Sequence, residues 1–201
     1  MKILTEKGAE KLLKKESFSV TDGFYIRRKS ELKNKVFNFS YVAKASGKKI
    51  IHKKKLGGIM LNIDSVEKAE KAYEKFKKIE GLEEVFFQKQ LKTKEEFLLG
   101  IKNTPEFGHT IVFGVGGSGV EQKKDFAFRI YPFDVNDAEE MINETIVGKN
   151  LSKKDTESVK KEILKILKLI KKYPKIKELD INPLMIEDGI CNIVDARIVF
   201  D

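Results

Sequence analysis

The chain has 201 residues, of which 41% are hydrophobic, and a formal net charge of +9. This apolar content is enough for one folded domain with a real core, so wholesale disorder is excluded. No apolar run approaches the roughly 18 residues that a bilayer crossing needs, and a single cysteine excludes internal disulfide bonds and cysteine-rich zinc sites. The N-terminus lacks the apolar stretch of a signal peptide, so we expect a cytoplasmic protein.

The basic excess does not by itself indicate nucleic-acid binding. The 40 basic residues are nearly all lysines, since arginine occurs only at positions 27, 28, 129 and 197. Arginine is the better reader of phosphates and base edges, and runs of lysine on helices are usually solvated faces. No zinc-finger, RNA-recognition or leucine-zipper motif accompanies them. We therefore expect neither a nucleic-acid partner nor a membrane partner.

The first part of the chain is predicted to mix helices and strands. A helix capped by Thr5 is expected up to Lys15. Alternating apolar side chains predict a strand over Val36–Ala45, and Ile59–Ile63 is a second short strand. Helical spacing then predicts a helix that starts at Asp64 or Ser65 and runs through Ile79, before Gly81. These elements form a predicted first lobe of about residues 1–84.

The second part of the chain is predicted to contain closely spaced strands followed by helices. The expected second lobe covers about residues 85–201, so that both lobes form one α+β domain over residues 1–201. In chain order, its elements are strands at Val85–Leu91, Phe97–Lys102, Thr110–Val115 and Phe126–Tyr131, a helix at Asn136–Val147, a long helix from Ser152 to about Pro174, and strands at Leu179–Ile186 and Ile193–Val199.

A strand lysine followed by a glycine-bearing loop is the first feature with chemical meaning. Lys44 lies at the end of an apolar strand, and Gly57 and Gly58 follow in a basic loop. An ammonium group with nearby backbone N–H groups is a common way to hold a polyphosphate. The spacing is not that of a P-loop, and a basic surface hairpin would give the same pattern.

An acidic pattern near the C-terminus is the second feature. Glu178, Asp180 and Asn182 fall on one face of a strand at a spacing of two residues, and a hairpin would place Asp195 beside Asn182. A few oxygen ligands with open positions suit Mg²⁺. A charged strand edge that prevents aggregation explains the pattern equally well.

A run of glycines and two histidines complete the candidates. The run over 114–119 lets a backbone pass close to a ligand, although it also suits a simple hairpin loop. His52 stands among lysines, which favour a neutral, nucleophilic imidazole. His109 is interpreted as a turn residue.

Taken together and in order, these segments resemble one family, the ATP-grasp β subunit of ADP-forming acyl-CoA synthetase (acetate–CoA ligase, ADP-forming). The succinyl-CoA synthetase β subunit is a more distant relative. The final two matching motifs are the most specific. In order, the matching segments are Ala43-Lys44-x-Ser46, Ile51-His52-Lys53, Gly57-Gly58-Ile59, Val85-Phe86-Phe87-Gln88, Glu96-Phe97-Leu98-Leu99-Gly100, Pro105-x-Phe107-Gly108, Phe113-Gly114-x-Gly116-Gly117, Glu178-Leu179-Asp180-Ile181-Asn182-Pro183-Leu184 and Val194-Asp195-Ala196-Arg197.

The resemblance implies an ATP-grasp fold, in which two α+β lobes clasp a nucleotide. It implies nucleotide and metal contacts at separate places along the chain. The implied roles are phosphate contact for Lys44, a phosphate cover for Gly57 and Gly58, adenine recognition for Gln88, Lys89 and Leu91, ribose binding for Glu96, Mg²⁺ binding for Asn182 and Asp195 with Asp180 as a third candidate, and phosphoryl transfer for His52.

The resemblance also implies a reaction and a partner. The reaction is acyl-CoA + ADP + phosphate ⇌ carboxylate + CoA + ATP, with a phosphohistidine relay to Mg·ADP. An α subunit would carry the acyl-CoA site and a phosphohistidine of its own, in an expected α2β2 complex. Two alternatives stay open: a stand-alone ATP-grasp carboxylate ligase, and a non-catalytic basic module that binds a partner.

Overall fold

The computed structural model describes residues 1–38, 40–47, 50, 53–93, 95–117 and 124–201. The chain divides into two units. Thr21–Leu91 form one, which we call the small unit, and Met1–Val20 join Lys92–Asp201 in the other, which we call the large unit. The division thus differs from the predicted lobes over 1–84 and 85–201, because residues 1–20 belong with the C-terminal part of the chain and residues 85–91 belong to the small unit.

Strands and helices alternate irregularly along the chain, and most strands lie next to another strand in sequence. In chain order the elements are β1 (Lys2–Ile3), α1 (Glu6–Lys15), β2 (Gly23–Ile26), a 3-10 helix (Lys29–Asn34), β3 (Tyr41–Ser46), β4 (Ile59–Ile63), α2 (Val66–Phe76), β5 (Glu84–Lys89), β6 (Glu96–Thr104), β7 (Gly108–Val115), β8 (Phe126–Ile130), α3 (Val135–Glu144), α4 (Ile146–Lys149), α5 (Lys153–Lys172), β9 (Ile176–Glu187), β10 (Ile190–Ile193) and β11 (Ala196–Phe200).

The small unit contains an antiparallel four-stranded sheet in the order β2-β5-β3-β4. Ala43 and Phe87 on one face of this sheet pack in a common core with Phe76 of α2. Phe37 was predicted on a strand but precedes β3. It still packs against Tyr41, with ring centroids 5.3 Å apart, so its apolar character comes from packing rather than from strand pairing.

The large unit contains an antiparallel seven-stranded sheet in the order β1-β11-β9-β6-β7-β8, with β10 paired to β9. Its core contains residues of α1, α3 and α5, such as Ile163 of α5. These residues pack against inward side chains of the sheet, such as Leu99 and Phe113. The N-terminal residues belong to this unit because Lys2 and Ile3 pair with β11, while Leu13 is fully buried in its core.

Two predicted elements of the large unit are each divided in the structure. The helix expected over Asn136–Val147 ends at Glu144, and Thr145 caps the separate helix α4 by accepting a hydrogen bond from the Gly148 N–H (2.9 Å). Thr is a good N-cap residue, so an extended backbone at this position is stabilised. The strand expected over Ile193–Val199 is likewise divided, into β10 and β11.

Among the helices of the described residues, none combines the length and apolar character needed to cross a membrane.

Candidate functional site

In the small unit, the candidate phosphate ligand lies on a buried face of the sheet. Lys44 is only 5% exposed and Gln88 only 1% exposed. Lys44 pairs with Phe86, and its Nζ lies 5.8 Å from the centroid of that ring. Lys44 is therefore in the interior of β3 rather than at the strand end that the sequence suggested. A positively charged group on this face suits the recognition of an anionic ligand.

The glycine pair lies directly against the strand that carries Lys44. The Ala45 N–H donates to the Gly58 oxygen (2.8 Å), and the Gly58 N–H donates to the Lys53 oxygen (2.8 Å). Gly57 has φ +65°, a left-handed conformation that favours glycine. A Cβ at position 58 would lie 2.9 Å from the Ala45 Cβ, so close packing also favours glycine there. His52, the predicted phosphoryl carrier, lies outside the described residues.

The segment Gln88–Leu91, predicted to recognise adenine, ends the small unit and is fixed by hydrogen bonds. The Lys89 N–H donates to the Asp22 oxygen (2.8 Å). The side chain of Gln90 forms two hydrogen bonds with Asn62: its Oε1 accepts from the Asn62 N–H (2.8 Å) and its Nε2 donates to Asn62 Oδ1 (3.0 Å). These hydrogen bonds tie the segment to β4 and to the residue before β2. The Asn62–Gln90 pair was not predicted, since no local pattern in the sequence indicates it.

In the large unit, the two predicted metal ligands are neighbours. The Asn182 N–H donates to the backbone oxygen of Asp195 (3.1 Å) at the junction before β11. Asp180 lies two residues earlier on β9, and Ile181 between them is fully buried. The predicted adjacency of Asn182 and Asp195 is confirmed. The predicted alternation along β9 is also confirmed, since the polar residues Asp180 and Asn182 flank the buried Ile181.

The Asp195 carboxylate of this pair and the neighbouring carboxylates of Asp180 and Glu178 repel one another. Burial raises the pKa of Asp180 above its usual range, and the nearby charges of Asp195 and Glu178 raise it further, while Arg197 opposes the shift. Glu178 in turn forms ion pairs with Lys102 (Nζ–Oε2, 3.3 Å) and with Arg197 (Nη1–Oε1, 3.6 Å). We call Glu178, Asp180 and Asp195 the acidic cluster. A cation bound there would relieve the repulsion.

The glycine run connects the predicted ribose ligand to a predicted metal ligand. The Gly116 N–H donates to the Glu96 backbone oxygen (2.7 Å), and the Gly117 N–H donates to Asn182 Oδ1 (2.7 Å). A Cβ at position 117 would overlap the Glu96 carboxylate. The glycines stand out in the sequence, but this contact was not predicted, because no local pattern indicates where the loop docks.

The donor atoms of the large unit fit Mg²⁺. Asn182, Asp195 and Asp180 offer only amide and carboxylate oxygens, which are the hard ligands that this ion prefers. Within the part of the chain that the structure describes, no group of three or more His, Cys, Asp or Glu residues is arranged to hold a metal alone.

Comparison with known proteins identifies relatives over nearly the whole chain. Residues 1–200 match the family described as ATP-grasp domain. Acetate--CoA ligase [ADP-forming] I subunit beta from Pyrococcus furiosus is 32% identical, and the match covers 98% of this chain and 91% of the relative. Acetate--CoA ligase [ADP-forming] II from Archaeoglobus fulgidus is 33% identical over 82% of this chain.

A solved structure gives the same result for the fold. The dinucleotide forming acetyl-coenzyme A synthetase 1 of Ca. Korarchaeum cryptofilum, in complex with coenzyme A and Ca-AMPCP, superimposes with a TM-score of 0.89 at 27% identity. That match covers 100% of this chain and 94% of the solved chain. By contrast, this chain spans only a quarter of the length of the Archaeoglobus relative.

Proposed function

Because this chain belongs to the ATP-grasp domain family, we propose that it is the nucleotide-binding β subunit of an ADP-forming acyl-CoA synthetase. The reaction is acyl-CoA + ADP + phosphate ⇌ carboxylate + CoA + ATP. The observation that carries the proposal is the backbone hydrogen bond from Asn182 to Asp195, which makes Asn182 a neighbour of the acidic cluster. The name of the Pyrococcus relative, subunit beta of such a ligase, supports it.

Each unit contributes its own residues to nucleotide binding. In the small unit, the Lys44 ammonium neutralises phosphate charge, and the loop that contains Gly57 and Gly58 covers the phosphates. The segment Gln88–Leu91, including Lys89, recognises adenine. In the large unit, the Glu96 carboxylate accepts hydrogen bonds from the ribose hydroxyls.

The metal ligands of the proposal are Asn182 and Asp195, with Asp180 as a third candidate. When bound, Mg²⁺ supplies charge neutralisation for phosphoryl transfer. The chain's own residues orient the reacting groups, and positioning is the main contribution that proteins make to this chemistry. A solved relative from Ca. Korarchaeum cryptofilum was captured with Mg-AMPPCP, which supports this pairing of metal and nucleotide.

His52 is the proposed phosphoryl carrier. A ring nitrogen of phospho-His52 gives up its phosphoryl group to the β-phosphate oxygen of ADP, so that the N–P bond breaks as the new P–O bond of ATP forms. In reverse, the neutral imidazole attacks the γ-phosphorus of ATP and ADP leaves. One of the Korarchaeum structures contains a phosphorylated phosphohistidine segment, which supports a carrier of this kind in the family.

A partner chain completes the proposed enzyme. An α subunit would hold the CoA and acyl-CoA site and a phosphohistidine of its own, and we propose an α2β2 complex. Light scattering of the two purified subunits after mixing measures this mass directly. If this chain without any partner catalysed ATP-dependent ligation of a carboxylate, that result would instead favour a stand-alone carboxylate ligase.

The nucleotide site is tested by thermal unfolding with Mg·ADP, with ADP in EDTA, and without ligand. Nucleotide at 100-fold over Kd adds about 2.7 kcal/mol, which raises Tm by roughly 5–10 °C for a chain of this length. Asp195→Asn should lose the part of this rise that depends on Mg²⁺. Asp201→Asn, which changes an exposed carboxylate at the C-terminus, is the matched control and should keep it. An equal rise in both variants would contradict the assigned metal site.

The carrier role is tested with γ-³²P-labelled ATP and Mg²⁺. We expect an acid-labile, alkali-stable phosphoryl label on the chain, with loss of the label in His52→Asn. His109→Asn is the control, because these are the two histidines of the sequence. His109 forms a structural hydrogen bond through Nε2 with the Ile176 oxygen (2.9 Å). Label retained in His52→Asn would remove His52 from the relay.

A further inference from the structure

We propose that Gly117 is a positioning residue for the metal ligand Asn182. The inference rests on the proposed function, because it takes Asn182 as a ligand to Mg²⁺. It adds a residue that is not itself a ligand: the backbone N–H of Gly117 orients the amide of Asn182 so that an oxygen, and not the NH2 group, faces the cation.

The hydrogen bond itself determines which way the amide points. A backbone N–H only donates, so its partner 2.7 Å away on the Asn182 side chain must be the oxygen, Oδ1. An amide oxygen has two lone pairs, and this bond occupies one of them. The second lone pair stays available to a hard cation. Partners of this kind orient metal ligands, and their loss typically costs 10- to 100-fold in metal affinity.

Two features favour glycine at position 117. The residue has φ +78°, in the left-handed region that β-branched residues avoid. A Cβ there would also overlap the Glu96 carboxylate. Gly116 supports the same geometry, since its N–H donates to the Glu96 backbone oxygen (2.7 Å). The direction of the Gly117 N–H is therefore set by the backbone conformation and by close packing on the start of β6.

The test must separate the backbone conformation from the overlap with Glu96, which is a proposed ribose ligand. We therefore compare two substitutions in a Glu96→Ala background, which removes the overlapping carboxylate. Gly117→Asn tolerates a left-handed backbone and should keep the N–H direction, whereas Gly117→Val is of similar size and does not tolerate it. Electron paramagnetic resonance measures the Kd of Mn²⁺ at saturating ADP, and calorimetry measures the Kd of ADP in EDTA.

We expect Gly117→Val to raise the Kd of Mn²⁺ by about 10-fold or more, and Gly117→Asn to leave it within about threefold of the Glu96→Ala parent. In both variants, the Kd of ADP in EDTA should stay within about threefold of the Glu96→Ala parent, because the hydrogen bond between Gly117 and Asn182 acts on the metal ligand and not on ADP. Equal Mn²⁺ affinities for the Asn and Val variants would overturn the inference, as would an equal loss of ADP affinity in EDTA.

A second measurement covers the case in which the Val variant does not fold. In protein labelled with ¹⁵N-glycine, the Gly117 amide should be protected from hydrogen exchange in the wild type and in Asn182→Asp, which keeps an acceptor oxygen. Asn182→Ala should lose this protection, and protection that is unchanged in Asn182→Ala would overturn the inference. A wild-type chain that binds Mn²⁺ neither alone nor with ADP contradicts the proposed function itself, which distinguishes the two failures.

Discussion

The small unit and the large unit hold their candidate residues by different physical means. In the small unit, Lys44 and Gln88 are buried on strands whose opposite face packs on α2, so packing places them. In the large unit, the acidic cluster is only partly buried, and its charges repel one another. The first set is therefore fixed by the protein core without a ligand. The second set would be stabilised by a cation, so we expect it to respond to pH and metal.

The largest effect is expected from damage to the core that positions the small unit's residues. Phe87 is fully buried next to Gln88 in β5, and its truncation leaves a cavity. We expect Phe87→Ala to lower the free energy of unfolding by about 3–5 kcal/mol, measured by urea denaturation. Phe107→Ala is the matched control, since that ring is 63% exposed, and its effect should stay within about 0.5 kcal/mol. Similar losses for both would show that packing does not distinguish the two positions.

The next effect concerns the buried cation. Lys44→Met keeps a long side chain but removes the charge, so we expect the Kd of ADP to rise roughly 10- to 100-fold, as for the loss of a hydrogen bond to a charged group. The Tm of the variant shows whether it stays folded. Lys168→Met, at an exposed position of α5, is the control. Calorimetry and thermal unfolding measure both quantities, and unchanged ADP affinity in Lys44→Met would contradict the phosphate role.

The smallest effect is expected from relieving the repulsion in the acidic cluster. The pKa of Asp180 is raised by burial and by its acidic neighbours, so its folding contribution is fully present below the ordinary value of 3.8 and is lost as pH rises through the raised value. Without metal, Asp180→Asn should therefore have a higher Tm than the wild type at neutral pH. The difference should disappear at the acid end of a pH series.

The same variant tests whether a cation compensates the repulsion. Mg²⁺ with ADP should raise the Tm of the wild type more than that of Asp180→Asn, because only the wild type has the full cluster. A variant with lower stability than the wild type at neutral pH in EDTA would show that Asp180 makes a net favourable contribution, which contradicts a cluster dominated by repulsion.

Much of the local structure could be predicted from the sequence, because it depends on residues close together in the chain. Thr5 caps α1 as predicted, and Ser152, predicted as the start of the long helix, caps α5; both hydrogen bonds span three residues. The alternation along β9 likewise predicts that Asp180 and Asn182 share a face. A short hairpin then brings Asp195 to Asn182, so the central pair of the candidate site follows from local periodicity and a turn.

Local sequence patterns therefore predict most of the elements and the pairing of Asn182 with Asp195. The three-dimensional fold determines that residues 1–20 join the large unit, and it brings the Gly117 N–H to an amide oxygen 65 residues away. It also decided the end of α3 before Thr145, where the Asp125 carboxylate accepts from the Ile146 N–H (2.8 Å). Capping and periodicity depend on residues a few positions apart in the sequence, so they can be predicted from it. Sheet order and register bring together distant segments that share no local pattern.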